Sequence, residues 1–381
     1  MSDVFDLDAV CYSYTESGPK ALNRMTMRIP EGSRTAVLGA NGAGKSTLFY
    51  TMEGVFRPSS GTVNHRGEPI QYTVLGLTKL RKDSAVVLQN PDEQMFSSTV
   101  EDDVAFGAVN TGATREDIDE RIDEALRLVR MAEYRRTPLH QLSGGQRKRV
   151  AIAGALAVRP KVLIMDEPTA GLDPQAYMEM MELVERLRLS GVTVIISTHD
   201  VDLAYSWADG IRVVRKGRQV YEGDSEGFYS DTGKVLECGL FRPSVFAMNE
   251  AMSKMACHDR APFPKTVGEY LAKFGGVKQA GTVHCVACDP GEDIADSYNR
   301  ALNEAGQSAR VGICGMDARD SVSAASLRAD FYFDGIDSCL SEAVQGRDSV
   351  LVFDSIFAPL VEERAQRLRM FGADIGTEGL Q

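Results

Sequence analysis

A glycine-rich segment near the start of the chain has the residue types and spacing of a phosphate-binding loop. Residues 39–46 read Gly-Ala-Asn-Gly-Ala-Gly-Lys-Ser, which fits the pattern G-x-x-x-x-G-K-[ST] at every position. The glycines let successive backbone N–H groups surround a phosphate at a helix N-terminus, where the helix dipole also favours negative charge. Lys45 adds a positive charge for the outer phosphates, and the Ser46 hydroxyl is a ligand for Mg²⁺. The residues predicted to contact a nucleotide in this segment are Gly39, Asn41, Gly42, Gly44, Lys45, Ser46 and Thr47.

Two acidic residues, Asp166 and Glu167, follow the apolar stretch at residues 162–165. An apolar strand that ends in Asp brings a carboxylate to the edge of the sheet, where such folds bind Mg²⁺. Glu167 is then placed to orient or deprotonate an attacking water. Acidic pairs are common at strand ends, and the phosphate-binding loop is what makes the catalytic interpretation the better one.

A second segment with the residue types of a phosphate-binding site lies at residues 142–146, Leu-Ser-Gly-Gly-Gln, directly before a helical stretch. Ser143 and the backbone amides of Gly144 and Gly145 would form another anion site at a helix N-terminus. By itself, Ser-Gly-Gly also fits a flexible turn. Because one chain cannot easily bring both sites to one nucleotide, we predict a dimer. In that dimer, Ser143 and Gly145 of each chain bind the nucleotide of the other.

These residues need a scaffold of strands alternating with helices. Short apolar stretches rich in β-branched residues predict strands at 34–38, 84–88, 162–165 and 192–196. A helix is predicted at about residues 44–53, and another after Thr114, which is a good N-cap residue. Strands that alternate with helices favour a mostly parallel sheet, so we expect an α/β fold.

The order of these motifs resembles that of ATP-binding cassette (ABC) ATPases over about residues 1–230. The resemblance implies a P-loop NTPase cassette with a mixed sheet and a helical subdomain, using ATP and Mg²⁺. It also implies roles for individual residues. Tyr14 would stack on adenine, although an aromatic there could also belong to the core. Gln89 would join Ser46 and Asp166 around Mg²⁺ and sense the transport partner. Asp173 would help to form the dimer contact, and His199 would contact the γ-phosphate beside the catalytic Glu167.

Residues 89–94, 100–107 and 239–243 are similar to the ATPases of energy-coupling-factor importers, especially the CbiO-type subunits of cobalt and nickel uptake systems. This similarity implies a peripheral subunit on the cytoplasmic face of the cell membrane. Its partners would be an integral membrane coupling protein, a substrate-binding membrane protein and a second cassette, as a homodimer or a heterodimer. Cobalt or nickel is the first expectation for the cargo, and a vitamin is the alternative.

Two other functions remain open at this point. An exporter component shares the general motifs, although residues 89–94 favour import. A soluble cassette ATPase acting on nucleic acid is a further alternative. Repair proteins of that kind carry a long coiled-coil insertion, whereas only residues 90–141 separate Gln89 from the Leu-Ser-Gly-Gly segment here, and the ribosomal type usually carries two cassettes in one chain.

Composition and charge narrow the choice of partners. The chain has 381 residues, 43% of them hydrophobic, which is enough for two or three domains. We expect a cytosolic protein without a signal peptide or a membrane span, with its seven cysteines reduced.

The net charge is −12, and residues 266–381 carry 18 acidic and 10 basic side chains. No strongly basic region is present to neutralise phosphates, so nucleic acid is not an expected partner.

The sequence after the cassette predicts a smaller α/β domain. We place the ATP-binding domain at residues 1–237, a linker or cassette end at 238–265, and the small domain, of regulatory role, at 266–381. Its predicted strands at 283–288, 310–314, 330–333 and 349–353 are each followed by an aspartate: Asp289, Asp317, Asp334 and Asp354.

Two interpretations of these residues stay open. In the first, the carboxylates line the carboxyl edge of a parallel sheet and form a ligand site there, with His284, Cys285, Cys288 and Cys314 nearby as metal ligands. In the second, the aspartates cap helices and the cysteines are small core residues. A single C-x-x-C is weak support for a metal site, since structural zinc takes four ligands at paired spacings.

Overall fold

Fourteen strands and fifteen α-helices cover most of the residues described by the computed structural model, 2–276 and 279–380. The strands are β1 (Asp3–Ser13), β2 (Lys20–Pro30), β3 (Arg34–Leu38), β4 (Ser60–His65), β5 (Glu68–Pro69), β6 (Ser84–Val87), β7 (Val162–Asp166), β8 (Thr193–Thr198), β9 (Gly210–Arg215), β10 (Arg218–Gly223), β11 (Thr282–Cys288), β12 (Arg310–Cys314), β13 (Ser349–Asp354) and β14 (Gly376–Glu378). The helices are α1 (Lys45–Met52), α2 (Val74–Asp83), α3 (Val100–Asn110), α4 (Arg115–Leu128), α5 (Gly144–Leu156), α6 (Pro174–Leu189), α7 (Val201–Trp207), α8 (Ser225–Ser230), α9 (Thr232–Glu237), α10 (Ser244–Ala256), α11 (Val267–Phe274), α12 (Ala295–Ala305), α13 (Met316–Ala324), α14 (Gly335–Val344) and α15 (Ala358–Met370). Within the described ranges, no helix is both long enough and apolar enough to span a bilayer.

The chain divides into two compact units. The first contains Met1–Leu172 and Ser190–Arg242, and the second contains Asp173–Leu189 and Pro243–Gln381. Helix α6 therefore groups with the C-terminal residues, although the sequence places it between β7 and β8 of the first unit. The division predicted at 1–237, 238–265 and 266–381 stays a prediction, and α10 lies inside its proposed linker.

The first unit contains a six-stranded sheet in the order β10-β9-β3-β8-β7-β6. All neighbouring strands are parallel except β9 and β10, so the predicted mostly parallel sheet is confirmed. The four strands predicted from apolar stretches are β3, β6, β7 and β8. Thr114 caps α4 as predicted, because its hydroxyl accepts a hydrogen bond from the backbone N–H of Asp117.

The strands of an antiparallel sheet, β2-β1-β4-β5, were not predicted from the sequence, nor were β9 and β10 of the six-stranded sheet. The sequence pattern that indicates the antiparallel sheet is the alternation of apolar and polar residues along β2. Met25, Met27 and Ile29 are buried there, and the residues between them are exposed. Helix α1 shares one apolar cluster with both sheets through Leu48 and Phe49. Burial on both sides fixes the helix, and with it the loop at its start.

The second unit contains a parallel sheet in the order β12-β13-β11-β14. Apolar clusters cover both faces, as expected for a parallel sheet, and side chains alternate between them along β11, with Cys285 in one cluster and Val286 in the other. The prediction of a strand at residues 330–333 is wrong. Only Phe331 bridges to Gly312, and the Asp330 carboxylate accepts the backbone N–H of Val311 instead. The three-residue strand β14 was too short to predict.

Candidate functional site

The phosphate-binding loop connects β3 to the start of α1, as its motif requires. Gly44 precedes the helix at φ 105°, and a Cβ at this position would lie 2.7 Å from the carbonyl oxygen of Ala21. Only glycine fits that backbone. Gly44 has no side chain to cap the helix, so the first N–H groups of α1 are left to bind another acceptor. By contrast, side chains cap the helices α2, α3, α4, α5 and α7.

Lys45 is a buried cation at the centre of this loop. Its side chain is 7% exposed, and its Nζ donates a hydrogen bond to the carbonyl oxygen of Gly39 at 2.7 Å. The same Nζ lies 3.4 Å from Oε1 of Glu167. The fold therefore brings the motif lysine and the predicted catalytic carboxylate together.

Glu167 lies directly after β7 in an unusual conformation. Its φ is 49°, in the left-handed region that glutamate rarely adopts, and its N–H donates to the carbonyl oxygen of Ser197 at 3.1 Å. Its Oε2 is 2.8 Å from Nδ1 of His199. Its Oε1 is buried and has no hydrogen-bond partner. Strain of this kind is typical of functional sites, where surrounding contacts hold it in place.

Asp166 is buried beside Glu167, and its carboxylate accepts a hydrogen bond from the Ser197 hydroxyl. Thr47 is also buried, with its hydroxyl 2.8 Å from the hydroxyl of Tyr14. Tyr14 is 63% exposed, so most of its ring is open to a planar ligand. Ser46 is exposed at the first turn of α1.

Lys148 is a site residue that sequence reasoning missed. It lies on the buried face of α5, and its Nζ donates to the carbonyl oxygens of Glu167 and Ala170, both at 3.1 Å. Burial lowers the pKa of Lys148 to about 8, against the charge of Glu167, which raises it. No side-chain pattern in the sequence marks this role, because the partners of Lys148 are backbone carbonyl oxygens. Its contacts hold the backbone that positions the Glu167 carboxylate.

Other predicted residues lie apart from this cluster. Gln89 is exposed just after β6, and Asn41 and Gly42 are exposed in the loop. Ser143 and Gln146 form a reciprocal capping box at the start of α5. In the described part of the chain, no hydrogen bond or ion pair joins Ser143 or Gly145 to the phosphate-binding loop.

Asp173 belongs to the second unit, where its carboxylate accepts the N–H of Ala176 at 2.8 Å in the first turn of α6. The predicted acidic edge forms only in part. Asp317 and Asp354 both contact Arg186 of α6, whereas Asp289 is exposed and follows β11 in a turn. Asp334 has φ 56° before α14 and does not follow a strand.

Among the described residues, no cysteine of the second unit belongs to a group of three or more side chains that could hold a metal ion. Burial raises the pKa of Cys285 to about 12 and raises that of Cys314 above its usual value. Cys288 donates to the Ser321 hydroxyl at 3.3 Å. The expectation that His284 lies near these residues at the carboxyl edge is wrong, because it lies in the first half of β11, near the amino end.

Comparison with known proteins connects this geometry to a family. Residues 22–170 match the family model described as ABC transporter. The energy-coupling factor transporter ATP-binding protein EcfA2 of Methanospirillum hungatei is 35% identical over 373 residues, which are 96% of this chain and 93% of that protein. A match of that extent must include most of residues 266–381.

Solved ABC cassettes share their fold with 58–67% of this chain. CbiO1 of Clostridium perfringens, part of the ABC transporter complex cbiONQ, is 38% identical with a TM-score of 0.55; the match covers 67% of this chain and 99% of CbiO1. The ATP-binding cassette MJ0796, solved as a dimer bound to ADP and phosphate, is 26% identical with a TM-score of 0.53 and matches 58% of this chain and 98% of its own. The chain belongs to the ABC transporter ATPases, in the family of energy-coupling factor transporter ATP-binding proteins.

Proposed function

We propose that Glu167 activates the water that attacks the γ-phosphate of ATP. The observation that carries this proposal is the buried Oε1 of Glu167, which has no hydrogen-bond partner and lies 3.4 Å from the Lys45 ammonium. A carboxylate oxygen without a partner in a buried site is ready to accept a proton from water. His199 contacts the other oxygen and orients the carboxylate.

The phosphates of ATP would bind at the start of α1. The uncapped N–H groups there offer hydrogen bonds to an anion, and Lys45 supplies positive charge to the outer phosphates. The Lys45 ammonium is paired with the Glu167 carboxylate and donates a hydrogen bond to the carbonyl oxygen of Gly39. A bound phosphate would compete for the same ammonium and so release Glu167 for its role as a base.

The residues proposed to hold Mg²⁺ fit that ion chemically. Ser46, Gln89 and Asp166 supply hydroxyl, amide and carboxylate oxygens, which are the ligand types that Mg²⁺ prefers. Asp166 is buried at the end of β7, where the Ser197 hydroxyl fixes its carboxylate. When bound, Mg²⁺ would neutralise charge on the phosphates.

Glu167→Gln should bind ATP but hydrolyse it about 10²–10⁴-fold more slowly, because the base is lost and the shape is kept. Lys45→Ala should instead weaken ATP binding. Steady-state ATPase rates and nucleotide titrations would measure both effects. Glu116→Gln, at an exposed position on α4, is the control and should behave as the wild type. Near-normal turnover of Glu167→Gln would contradict the assignment.

We also propose that two cassettes share each nucleotide, with Ser143 and Gly145 of one chain facing the ATP of the other. Neither Gly144 nor Gly145 has a positive φ, and a Cβ at either position would meet no atom within 4 Å. The fold of the chain therefore does not require glycine at these two positions. Close approach of an external ligand does explain them, and the dimer of MJ0796 supports this interpretation.

In the Glu167→Gln background, ATP should convert the monomer into a dimer, since the bound nucleotide persists. Adding Ser143→Arg should abolish that dimer, through the bulk of the new side chain near the phosphates. Light scattering after size-exclusion chromatography, with and without ATP, measures the mass directly. Ser230→Arg, at an exposed position, is the matched control and should still dimerise. Persistence of the dimer in the Ser143→Arg variant would exclude the shared site.

We propose that the cargo is a cobalt or nickel ion and that the chain acts at the cytoplasmic face of the membrane. Support comes from residues 89–94 and 100–107 and from the similarity to CbiO1. A cleft of about 750 Å³ in the first unit is lined by Val74, Phe96 and Phe106, all exposed to solvent. Exposed apolar groups of this size mark an interaction surface, and we propose that the membrane coupling protein docks there.

Proteoliposomes that contain the chain with its co-purified membrane proteins should accumulate radioactive cobalt or nickel when supplied with ATP. The Glu167→Gln complex should not, because transport requires hydrolysis. The Phe106→Asp variant tests the docking surface. The variant chain should no longer co-purify with the membrane proteins or support uptake, whereas its ATPase activity in isolation should be unchanged. Accumulation of a vitamin instead of either metal would replace the cargo proposal with its alternative.

Helix α6 forms ion pairs with residues 266–381 inside the second unit. Arg186 of α6 lies 2.7 Å from Asp354 and 3.1 Å from Asp317. Glu182, one turn earlier, receives two hydrogen bonds from Arg319, which is 1% exposed. Because Arg319, Asp317 and Asp354 are buried, removing their partners on α6 leaves uncompensated buried charges. We propose that the C-terminal domain holds α6 through these pairs and thereby positions Asp173 at the start of the helix.

Neutralising both residues of α6, as Glu182→Gln with Arg186→Gln, should lower kcat about fivefold or more, since coupling between sites typically spans a factor of about 5–150. The KM for ATP should not change, because the phosphate-binding loop is untouched. Fluorescence of Trp207, which is buried in the first unit, checks that this unit stays folded. Gln175→Ala on the same helix is the control. An unchanged kcat would rule out this route.

A further inference from the structure

Three side chains that belong to none of the cassette motifs converge in the second unit. His284 lies on β11, Glu304 near the end of α12 and Glu378 on β14. The ligand atoms of all three lie within 4.8 Å of one another. His284 and Glu378 are register partners in the parallel pair of β11 and β14, so their side chains lie on the same face of the sheet.

The imidazole of His284 is almost completely buried, at 6% exposure, and its Nδ1 has no hydrogen-bond partner. Two carboxylate oxygens lie close to this nitrogen, Oε2 of Glu378 at 3.4 Å and Oε2 of Glu304 at 3.6 Å. Both are acceptors and cannot donate a hydrogen bond to Nδ1. Within the described ranges, neither glutamate has a lysine or arginine partner. A cation between the three atoms would satisfy all of them.

The separations decide which kind of cation fits. They are longer than a hydrogen bond, so a proton on Nδ1 would not join these atoms well. Two ligands at about 2.1 Å from a tetrahedral ion lie about 3.4 Å apart, which is close to the separations of 3.4 and 3.6 Å seen here. Glu304 and Glu378 have side chains 54% and 65% exposed, so an ion could enter from solvent and keep water ligands.

We propose that His284, Glu304 and Glu378 form a binding site for a divalent transition metal ion, of the class of Zn²⁺, Co²⁺ or Ni²⁺. One imidazole nitrogen and two carboxylates suit these ions. Mg²⁺ and Ca²⁺ prefer ligand sets made of oxygen alone. The site is separate from the cassette motifs and does not depend on the identity of the cargo.

A bound ion would join the short strand β14 to α12. Strand β14 has three residues, and each of them pairs with β11. Its last residue is the ligand Glu378, and the ion would tie it to the helix through Glu304. Metal binding would thus stabilise the end of the second unit.

Titration of the full-length, nucleotide-free chain with Co²⁺ in buffer without Mg²⁺ tests this site. Absorption in the visible range should saturate at one ion per chain, without the near-ultraviolet band of a thiolate ligand. The double variant Glu304→Gln with Glu378→Gln should bind at least about tenfold more weakly. Both positions are exposed, so the variant should fold, which circular dichroism checks. Zn²⁺ and Ni²⁺ should raise the Tm of the wild type and not that of the double variant.

Two controls separate this site from other binding. Asp296→Asn, at an exposed position on α12, should bind Co²⁺ as the wild type does. Cys257→Ser removes the exposed thiol of the chain and should also leave the titration unchanged. Absence of saturable binding, a thiolate band, or equal affinity in the double variant would overturn the proposal. Because no nucleotide or membrane is present, failure here would leave the proposed transport function untouched.

Discussion

The buried ammonium of Lys45 is the constraint on which the nucleotide site depends. A charge that is 7% exposed requires compensation, and here Gly39 supplies a carbonyl oxygen and Glu167 a carboxylate. To reach that position, Glu167 adopts a left-handed φ. Two contacts stabilise this backbone: the N–H of Glu167 donates to Ser197, and its carbonyl oxygen accepts from Lys148.

The register of the sheet makes this arrangement possible. In the strand order β3-β8-β7, Leu38 pairs with Thr198 and Asp166 pairs with Ser197. The ends of three strands therefore meet at one edge. The phosphate-binding loop follows the first, His199 the second and Glu167 the third. Residues far apart in sequence become neighbours because parallel strands end together.

Much of this edge could be predicted from the sequence, because its chemistry follows from local patterns. The loop at residues 39–46 requires glycines at fixed spacing. An Asp-Glu pair that directly follows an apolar strand is expected at the carboxyl edge of a parallel sheet. Lys148 could not be found in this way. It binds backbone carbonyl oxygens, and no side-chain pattern marks those acceptors in a sequence.

Less of the second unit could be predicted from the sequence. Its three longer strands were predictable from apolar stretches, whereas β14 is too short to leave a pattern. One of the two interpretations placed a ligand at the carboxyl edge. Two carboxylates there, Asp317 and Asp354, instead bind Arg186 of α6, which precedes them by 131 and 168 residues. Sequence spacing carries no information about such a distant partner. His284 was singled out for its neighbours Cys285 and Cys288, but alternation along β11 directs Cys285 to the opposite face.

Acidic side chains lie at both ends of this sheet, and their surroundings differ. At the carboxyl end, Asp317 and Asp354 are buried, and burial raises the pKa of Asp354, against hydrogen bonding from Ala318 and the charge of Arg186. A cation from the chain compensates these acids, so no ion is needed there. At the amino end, Glu304 and Glu378 face the buried Nδ1 of His284, and the described residues provide no lysine or arginine to pair with them. At the carboxyl end the compensating cation is Arg186 of the chain itself. At the amino end, the proposed metal ion from solution would compensate the two glutamates and bind Nδ1 of His284.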